Sequence, residues 1–423
     1  MGATGATGAT GPAGSPGAPG PAGPGVTWVD VMGTSAQAAS NTGYLADNSS
    51  QVTITLPTNP ALGDIVQVSG IGAGGWKLAQ NAGQRVYVGD QNVLWVPRDS
   101  IRQWRSVACN ADCTKAVAAE LGGLIYTSTD SGVTWTAQAN SGSGNWTSVA
   151  SSADGTKLVA ALFGGLVYTS TDSGVTWTAQ ANPGSRNWTS IASSADGVKL
   201  VACATSFGSV YTSSDSGATW TAHTSAGSRF WDAVASSADG TRLIAAATSS
   251  DKVYTSSDSG VTWSTASVPT GYWTAVASSA DGMKLVAVSS SGGYIAASGD
   301  GGSTWSTLSG AAGAQWIAVS SSADGSKVVA ADLGTGVFVS TDFGASWTEE
   351  TAGPQAWTAL ASSADGSRLV AGASNGYLFN PASSTTSGAT GFVAGTRNQA
   401  VELQYAGNGQ FMTLSNEGLL TLR

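Results

Sequence analysis

Short apolar segments separated by polar turns fill residues 91–380, and none of them has the length of a helix. One stretch reads WTSVASS, KLVAALF, GLVYTST and VTWTAQAN in succession, with an ADG turn after the first segment and a Gly-containing turn before the last. Short segments bounded by Gly, Asp and Ser are typical of β-strands joined by tight turns. The pattern predicts an all-β fold made of four-strand units.

Two sequence markers repeat in register along this stretch. The first, S-x-D-x-G-x-x-W, occurs six times, and its tryptophans are 42 or 43 residues apart. The second is a Trp that opens a strand ahead of an ADG or equivalent turn, at Trp104, Trp146, Trp188, Trp231, Trp273, Trp316 and Trp357. Four antiparallel strands in each repeat of this period predict the blades of a β-propeller.

The segment NVLWVPRD (92–99) precedes the first complete repeat and belongs to none. Seven tryptophans open a repeat, but the other marker supplies only six, and the last repeat stops after its third strand. Trp95 lies 40 residues before Trp135, where a further fourth-strand Trp would fall. The sequence therefore predicts that 92–99 is the outer strand of the last blade. That strand would close a ring of seven blades with no open edge, with six or eight blades as the alternatives.

The S-x-D-x-G-x-x-W segments resemble the Asp-box (BNR) repeats of sialidases and of sortilin-like propellers. The resemblance implies that each segment is a structural hairpin between the third and fourth strands of a blade. In such a hairpin the Asp accepts turn amide hydrogens, the Gly takes a positive φ and the Trp packs between blades. The structural carboxylates would be Asp130, Asp172, Asp215, Asp258, Asp300 and Asp342.

Residues 1–25 have glycine at every third position from Gly2 to Gly23, with proline at several positions between. Only glycine fits at the axis of three wound polyproline-II chains, so the period predicts a collagen-like triple helix and a homotrimer. A flexible linker is the alternative. A triple helix this short, about 70 Å long at about 3.1 Å per residue, should need a neighbouring domain to hold its register.

Strand-like segments flank the propeller in residues 26–90 and 381–423. GDIVQVSGIGAGGWKLAQNAGQ, with the later GFVAG, AVEL and GLLTL, resembles a small β-domain of phage tail and viral fibre proteins. The resemblance implies one β-sandwich-like trimerisation domain into which the propeller (91–380) is inserted. It also implies an extracellular or virion-surface location, with further copies of the chain as partners, in trimers or in higher-order filaments.

Composition excludes several other classes of function. The chain has 423 residues, too many for one ordinary core, with 10% charged residues and a formal net charge of −9. No basic stripe is available to neutralise phosphates, which argues against nucleic acid. No run of about 20 apolar residues occurs, so membrane insertion is not expected.

Catalytic chemistry is sparse in the sequence. Thirteen aspartates lie in the S-x-D-x-G-x-x-W segments or in ADG-type turns, where turn geometry explains them. A sialidase-like glycoside hydrolase should have three arginines converging on the propeller axis, with a Tyr–Glu pair and an acid. The residues predicted to line that axis are Arg105, Thr147, Thr189, Asp232, Thr274, Ile317 and Thr358. Because they include one arginine, and His223 is the sole histidine, we expect no catalytic residue, metal or cofactor.

Ligand binding is predicted for the propeller face opposite the S-x-D-x-G-x-x-W turns. The chain should enter and leave on the face of those turns, which leaves the other face free. Its inter-blade loops carry Arg98, Arg102, Arg186, Arg229, Phe230 and Tyr272. Cations and aromatic rings suit acidic or neutral glycans, and solvated loops without a ligand are the alternative.

The cysteines add one structural expectation. Cys109 and Cys113 stand at the two ends of CNADC, where other repeats read SSADG, which favours a small disulfide over two free thiols. Cys203 should be an inert buried thiol.

Two functions from different classes remain. The first is a non-enzymatic structural subunit of a trimeric extracellular fibre, filament or virion appendage, with the propeller as an adhesion or glycan-binding head. The alternative is a sialidase-like enzyme, which the missing arginines disfavour.

Overall fold

The computed structural model describes residues 26–87, 94–206, 208–248, 252–308, 315–350, 355–382, 392–407, 410–417 and 420–422. They form two compact units, 26–87 with 392–421, and 94–382. Residues 1–25, where the sequence predicts a triple helix, lie outside the described residues. Within the described ranges the regular elements are β-strands and one 3-10 turn, Ala139–Ser141.

The first unit begins with β1 (Thr27–Val31), β2 (Ser35–Gln37), β3 (Thr42–Ala46), β4 (Val52–Thr55), β5 (Ile65–Gly70), β6 (Trp76–Ala79) and β7 (Arg85–Tyr87). The second unit opens with β8 (Leu94–Cys109), β9 (Ala116–Gly123), β10 (Ile125–Ser128), β11 (Thr136–Gln138), β12 (Gly144–Ser151), β13 (Leu158–Gly165), β14 (Val167–Ser170), β15 (Thr178–Gln180), β16 (Arg186–Ser193), β17 (Leu200–Ala204), β18 (Val210–Ser213) and β19 (Thr221–His223). It continues with β20 (Trp231–Ser236), β21 (Leu243–Ala247), β22 (Lys252–Ser256), β23 (Ser264–Thr265), β24 (Trp273–Ser278), β25 (Leu285–Ser289), β26 (Ile295–Ser298), β27 (Ser306–Leu308), β28 (Trp316–Ser321), β29 (Val328–Asp332), β30 (Val337–Ser340), β31 (Thr348–Glu350), β32 (Trp357–Ser362) and β33 (Leu369–Ala382). The chain returns to the first unit with β34 (Phe392–Gly395), β35 (Ala400–Gly407), β36 (Gln410–Glu417) and β37 (Thr421–Leu422).

The first unit has two sheets, and the strands of its N-terminal part alternate between them. β1, β3 and β5 lie side by side in parallel, and β2, β4 and β6 form a second parallel set. β35 adds antiparallel to β5, and β34 adds antiparallel to β6. The two sheets fit the predicted sandwich, but their pairing is that of a β-solenoid. Successive strands of β1–β6 lie in opposite sheets. Each strand therefore pairs in parallel with the strand two positions along the chain, as β1 does with β3.

Glycines in the GIGAGGW segment allow its coil to stack closely on the preceding one. A side chain at Gly72 would overlap the backbone of Asn48, and one at Gly74 would overlap that of Ser50. Because these positions have no Cβ, the two backbones approach closely, and the Gly74 amide donates to the Asn48 carbonyl at 2.9 Å. The segment ends on Trp76, which has no exposed surface. The close approach of the two coils at these glycines thus places Trp76 in the core.

The second unit consists of repeated antiparallel groups of four strands. β20–β23, β24–β27 and β28–β31 each form a separate four-stranded sheet. The earlier repeats merge into one 14-stranded sheet because neighbouring repeats also pair at their strand ends, as Gly144 does with Gly123. Each first strand contains a Trp that is at most 1% exposed, and Trp188 packs on Val159 and Ala161 of the preceding repeat. These tryptophans form the core between repeats.

The ADG-type turns link successive repeats through their backbones. The amide of each turn alanine donates to the carbonyl of the next turn alanine at 2.7 to 2.9 Å, in the order Ala111, Ala153, Ala195, Ala238, Ala280, Ala323 and Ala364. The Ala364 amide then donates to the Ala111 carbonyl at 2.7 Å, which returns the series to its start. The last repeat is therefore bonded to the first as any other repeat is bonded to its successor.

β8 runs unbroken through Arg98 and Arg102, which the sequence placed in an inter-blade loop. Its first residues pair antiparallel with the end of β33, with Leu94 opposite Ala382. Farther along, Arg102 still pairs with Gly376 of β33, and the last part of β8 pairs with β9. The loop prediction is wrong, because β33 pairs with this segment as far as Gln103 and β9 pairs with β8 from Trp104 onward.

Trp95 is buried on the last repeat. It is 4% exposed, and its ring centroid lies 5.9 Å from that of Trp357. Trp220 lies 6.4 Å from Trp188 in a complete repeat, so Trp95 stands in the same relation to a first-strand Trp as the Trp of an S-x-D-x-G-x-x-W segment does.

Candidate functional site

The six S-x-D-x-G-x-x-W segments share one hydrogen-bonded turn between third and fourth strands, seen at residues 170–177. Asp172 Oδ1 accepts the Thr176 amide (2.9 Å) and the Ser170 hydroxyl (2.7 Å), while Oδ2 accepts the Thr176 hydroxyl (2.6 Å). The Thr176 hydroxyl, then its amide, lower the pKa of Asp172 to about 2. Equivalent bonds hold Asp130, Asp215, Asp258, Asp300 and Asp342. Each carboxylate is used to hold its own turn.

The basic residue after each ADG-type turn reaches the neighbouring repeat. Lys157 is half-buried, and its Nζ donates to the Ser216 hydroxyl of the next S-x-D-x-G-x-x-W turn at 3.4 Å. Its stem lies against Gly197, where an added Cβ would come within 2.8 Å of two Lys157 carbons. Arg368 of the last repeat donates to the Ser131 hydroxyl of the first at 3.1 Å. Spacing along the chain does not reveal this contact, because the partner lies a whole repeat away.

A cavity of about 300 Å³ opens on the axis of the second unit. All the residues predicted to line the axis do so: Arg105, Thr147, Thr189, Asp232, Thr274, Ile317 and Thr358. Four of them are threonines whose hydroxyls donate to the main chain of the next repeat; Thr147, for example, donates to the Trp188 carbonyl at 2.9 Å. Most polar groups of the lining are therefore used to join repeats.

Arg105 and Asp232 are the charged residues of this lining. Burial raises the pKa of Asp232, and the positive charge of Arg105 opposes that rise. The two groups place one cation and one anion on the cavity wall. The three converging arginines of a sialidase-like site are not present among the lining residues of the described chain.

Three of the predicted ligand-binding arginines occupy the same position in different repeats. The guanidinium carbons of Arg102, Arg186 and Arg229 lie 4.6, 4.8 and 4.8 Å from the ring centroids of Tyr126, Tyr211 and Tyr254, respectively. Each tyrosine ring in turn lies 5.1 Å from the buried first-strand Trp of its repeat. The arginines thus cap a stack of aromatic rings through cation–π contacts.

Arg98 lies elsewhere than predicted. It is a strand residue, and its Nε donates to Asn380 Oδ1 at 2.8 Å. Asn380 Nδ2 donates to the Ser131 carbonyl, in the first S-x-D-x-G-x-x-W turn, at 2.9 Å. This places Arg98 beside those turns, because the strand that closes on β33 carries it there.

The two predicted aromatic contacts differ in exposure. Tyr272 is 56% exposed, and its amide donates to the Ser291 hydroxyl at 2.9 Å, which fixes its loop. Phe230 is half-buried, and its carbonyl accepts the Thr248 amide at 3.0 Å. Tyr272 is therefore the better placed of the two to contact a ligand.

A polar cluster surrounds Arg102 that the sequence did not reveal. Arg102 contacts Asp99 Oδ2 at 3.1 Å and Glu120 Oε2 at 3.5 Å, and the Tyr126 hydroxyl donates to Glu120 Oε2 at 3.2 Å. Burial, followed by the charge of Glu120, raises the pKa of Tyr126 to about 12. The sequence feature that could have pointed to this cluster is Glu120, one of very few glutamates in the repeats.

The cysteines lie as the turn chemistry suggests. Cys109 and Cys113 form a disulfide with their Cα atoms 4.9 Å apart, and Cys113 takes the positive φ (50°) that glycine takes in the equivalent turns. Cys203 is buried, which raises the pKa of its thiol to about 12.

Metal-binding clusters and membrane-spanning helices are absent from the described ranges. No group of three or more His, Cys, Asp or Glu side chains there could hold a metal ion. None of the helical segments there is long and apolar enough to cross a membrane.

Antiparallel four-stranded sheets in sequence repeats, bonded in series around an axial cavity, define a β-propeller. The sequence matches no protein-family model and no curated protein. Among solved structures, the chain is similar to YCF48 from Cyanidioschyzon merolae, with a TM-score of 0.54 and 15% identity over 68% of this chain and 97% of that one. A structure of YCF48 bound to D1 peptide is similar too, with a TM-score of 0.55 and 14% identity over 70% and 96%. Likeness at this identity shows the propeller fold alone.

Proposed function

We propose that this protein is a non-enzymatic structural subunit of a trimeric extracellular fibre, filament or virion appendage. Its collagen-like segment, 1–25, assembles three chains, the β-domain beside it holds their register, and the propeller is displayed as an adhesion head. The observation that carries the proposal is the unbroken glycine period from Gly2 to Gly23, which leads directly into a compact β-unit.

We further propose that the propeller is of the Asp-box type and has seven blades. The series of alanine hydrogen bonds from Ala111 through Ala364 and back to Ala111 supports this number. The burial of Trp95 against Trp357 supports the role of β8 as the closing outer strand. The carboxylate-centred turn at Asp172 and its five equivalents supports the resemblance to Asp-box repeats.

A sialidase-like glycoside hydrolase is the second candidate, and the Tyr126–Glu120 contact is the observation that favours it. Two observations weigh against it. Tyr126 packs on Trp104 with its pKa raised to about 12, which disfavours a nucleophilic phenolate. The axial cavity offers Arg105 as its arginine, where three are needed.

Glycan binding is the activity we propose for the head. Arg186 and Arg229 carry guanidinium groups on aromatic stacks, and Tyr272 adds an exposed ring. A glycan array probed with the intact protein should lose its hits when Arg186, Arg229 and Phe230 are replaced together, and keep them when Lys157 and Lys199 are replaced. An array without hits would remove this activity.

The oligomeric state tests the main proposal. Light scattering on the intact chain should give the mass of three chains, and Gly11→Val should weaken the trimer because a side chain at the triple-helix axis is excluded. A monomeric intact chain would overturn the proposal. A sialic acid release assay distinguishes the enzyme, since turnover that Glu120→Gln abolishes would establish the second candidate instead.

A further inference from the structure

β1, the first described strand, presents large apolar side chains to solvent. Trp28 is 49% exposed, Val29 43%, and Met32, one residue beyond the strand, 70%. All 16 tryptophans of the chain lie in the described residues, and Trp28 is the one that is exposed. Trp28 and Val29 point to opposite faces of the sheet, because successive strand residues alternate. Exposed apolar side chains of this size mark interaction surfaces.

The strand register places Trp28 on one face of the six-stranded sheet β1-β3-β5-β35-β36-β7. Trp28 pairs with Gly43, Gly43 with Gln67, and Gln67 with Glu402, and ladder partners point to the same face. The indole lies over Gly43, where a Cβ would come within 2.7 Å of it. Met412, 50% exposed, is on this face too, because its partner lies two residues beyond Glu402.

β1 also leaves one of its backbone edges without a partner strand in the described part of the sheet. It is the terminal strand of the sheet order and pairs with β3 alone. An apolar edge strand with unpaired amides and carbonyls is a template for association with another chain. In an isolated chain such an edge is a liability, so a specific partner is expected to cover it.

The position of Trp28 in the chain indicates which partner that is. The Gly-x-y segment ends at Gly25, and an extended chain advances at most about 3.6 Å per residue, so Trp28 lies within about 11 Å of that end. In a triple helix three chains share one axis with glycine at its centre. Three copies of β1 must therefore start close together, and each is near the exposed Trp28 of the others.

We propose that the Trp28 face of this sheet packs against the same unit of two further copies of the chain, forming the trimer interface below the triple helix. This rests on the proposed function, since the triple helix supplies the convergence. A shallow pocket of about 150 Å³ lies beside Trp28, with Gln67, Glu402 and Ser415 on its wall, and leaves room for a side chain of the neighbouring copy. A neighbouring copy that covers this face and edge would remove both the exposed Trp28 side chain and the unpaired backbone of β1 from solvent.

Charge placed at Trp28 tests the interface. Because the side chain is exposed, Trp28→Glu should leave each unit folded, which circular dichroism and thermal melts verify. The matched control is Leu62→Glu, 78% exposed in the loop before β5. Sedimentation of the full chain over a dilution series should give trimers for the wild type and for Leu62→Glu, whereas Trp28→Glu should dissociate at tenfold higher concentrations or more.

The outcomes separate the two proposals. A monomeric wild type would overturn the proposed trimer together with this interface. A trimeric wild type whose Trp28→Glu variant dissociates no sooner than Leu62→Glu would overturn the interface alone.

Cross-linking gives an independent readout of proximity. Cys109 and Cys113 are bonded and Cys203 is buried, so a cysteine introduced by Trp28→Cys is the reactive thiol. Mild oxidation of the full chain should link two of the three copies through residue 28, while Leu62→Cys should stay unlinked. A trimer in which Trp28→Cys forms no more covalent dimer than Leu62→Cys would contradict the proposed packing.

Discussion

The two units of this chain build their all-β cores from different kinds of contact. In the propeller each repeat uses the same contacts with its neighbour: a buried Trp such as Trp188, a turn alanine bond, and a lysine such as Lys157 against the next glycine. The flanking unit also relies on single contacts between segments far apart in the chain. It is completed by residues from far along the chain, as when Trp76 Nε1 donates to the Gln399 carbonyl at 2.9 Å.

This difference indicates where single changes should matter most. A contact that occurs once has no equivalent elsewhere in the unit, whereas a repeated contact is one of several similar ones. In the propeller, the junction of β8 with β33 is such a singular place. Singular contacts in either unit should therefore be more sensitive than repeated ones.

The largest effect is expected from Trp76→Ala. Trp76 is fully buried, and removing a core aromatic costs about 3–5 kcal/mol. Loss of its hydrogen bond adds to that cost. Calorimetry should show the transition of the flanking unit shifted or abolished while the propeller transition stays in place. A single transition that shifts as a whole would contradict the division into independent units.

Trp95→Ala should come next, and it tests the junction. Trp95 is 4% exposed, and its truncation should cost the propeller roughly 3 kcal/mol. Trp263→Ala, in a repeated and half-buried position, is the matched control and should cost less. Denaturant unfolding measures both. If deletion of 92–99 left the propeller's melting temperature unchanged, the assignment of β8 as the closing strand would be wrong.

Gly197→Ala should have an intermediate effect on a repeated contact. Gly197 has φ +67°, and its new Cβ would lie within 2.8 Å of Lys157. Strain at positive φ and a displaced lysine should together cost about 1–3 kcal/mol. Gly184→Ala, at positive φ but with open space around it, isolates the backbone contribution. Equal losses for the two variants would show that the lysine contact contributes nothing.

The smallest effect is expected from Asp172→Asn, and it depends on pH. The folded pKa of Asp172, about 2, lies below the ordinary value of 3.8, so its contribution is present above pH 3.8 and is lost as the pH falls through 2. The variant should be slightly less stable than the wild type at neutral pH. The difference in unfolding free energy between the variant and the wild type should narrow between about pH 4 and pH 2, as urea unfolding at several pH values will show. A gap independent of pH would mean that charge on Asp172 does not hold the turn.

Sequence alone predicted the propeller well because its information is local and repeated. The turns around Asp172 and Asp154 are built within a few residues, so spacing is enough to locate them and the strands between. The residues lining the axis follow directly from the register of the first strands.

What sequence reasoning missed depends on partners far along the chain. Parallel coils in the flanking unit pair strands across whole turns, and alternation of apolar residues does not show which strand is the neighbour. The contact of Lys157 with Ser216, and the stacking of Arg186 on Tyr211, likewise join segments far apart in the chain. Only the three-dimensional arrangement separates such residues from solvated loops.

The pairing of Leu94 with Ala382 has a mechanical consequence. Facing residues of an antiparallel ladder lie about 5 Å apart, so the propeller's entry and exit points are nearly one point. Tension applied along the chain passes across this pair and does not stretch the ring of blades. If the pairing of Leu94 with Ala382 breaks, the hydrogen bonds between β8 and β33 break one after another from that end of the ladder. Pulling on the two segments that flank the propeller therefore loads this ladder before it loads the blades.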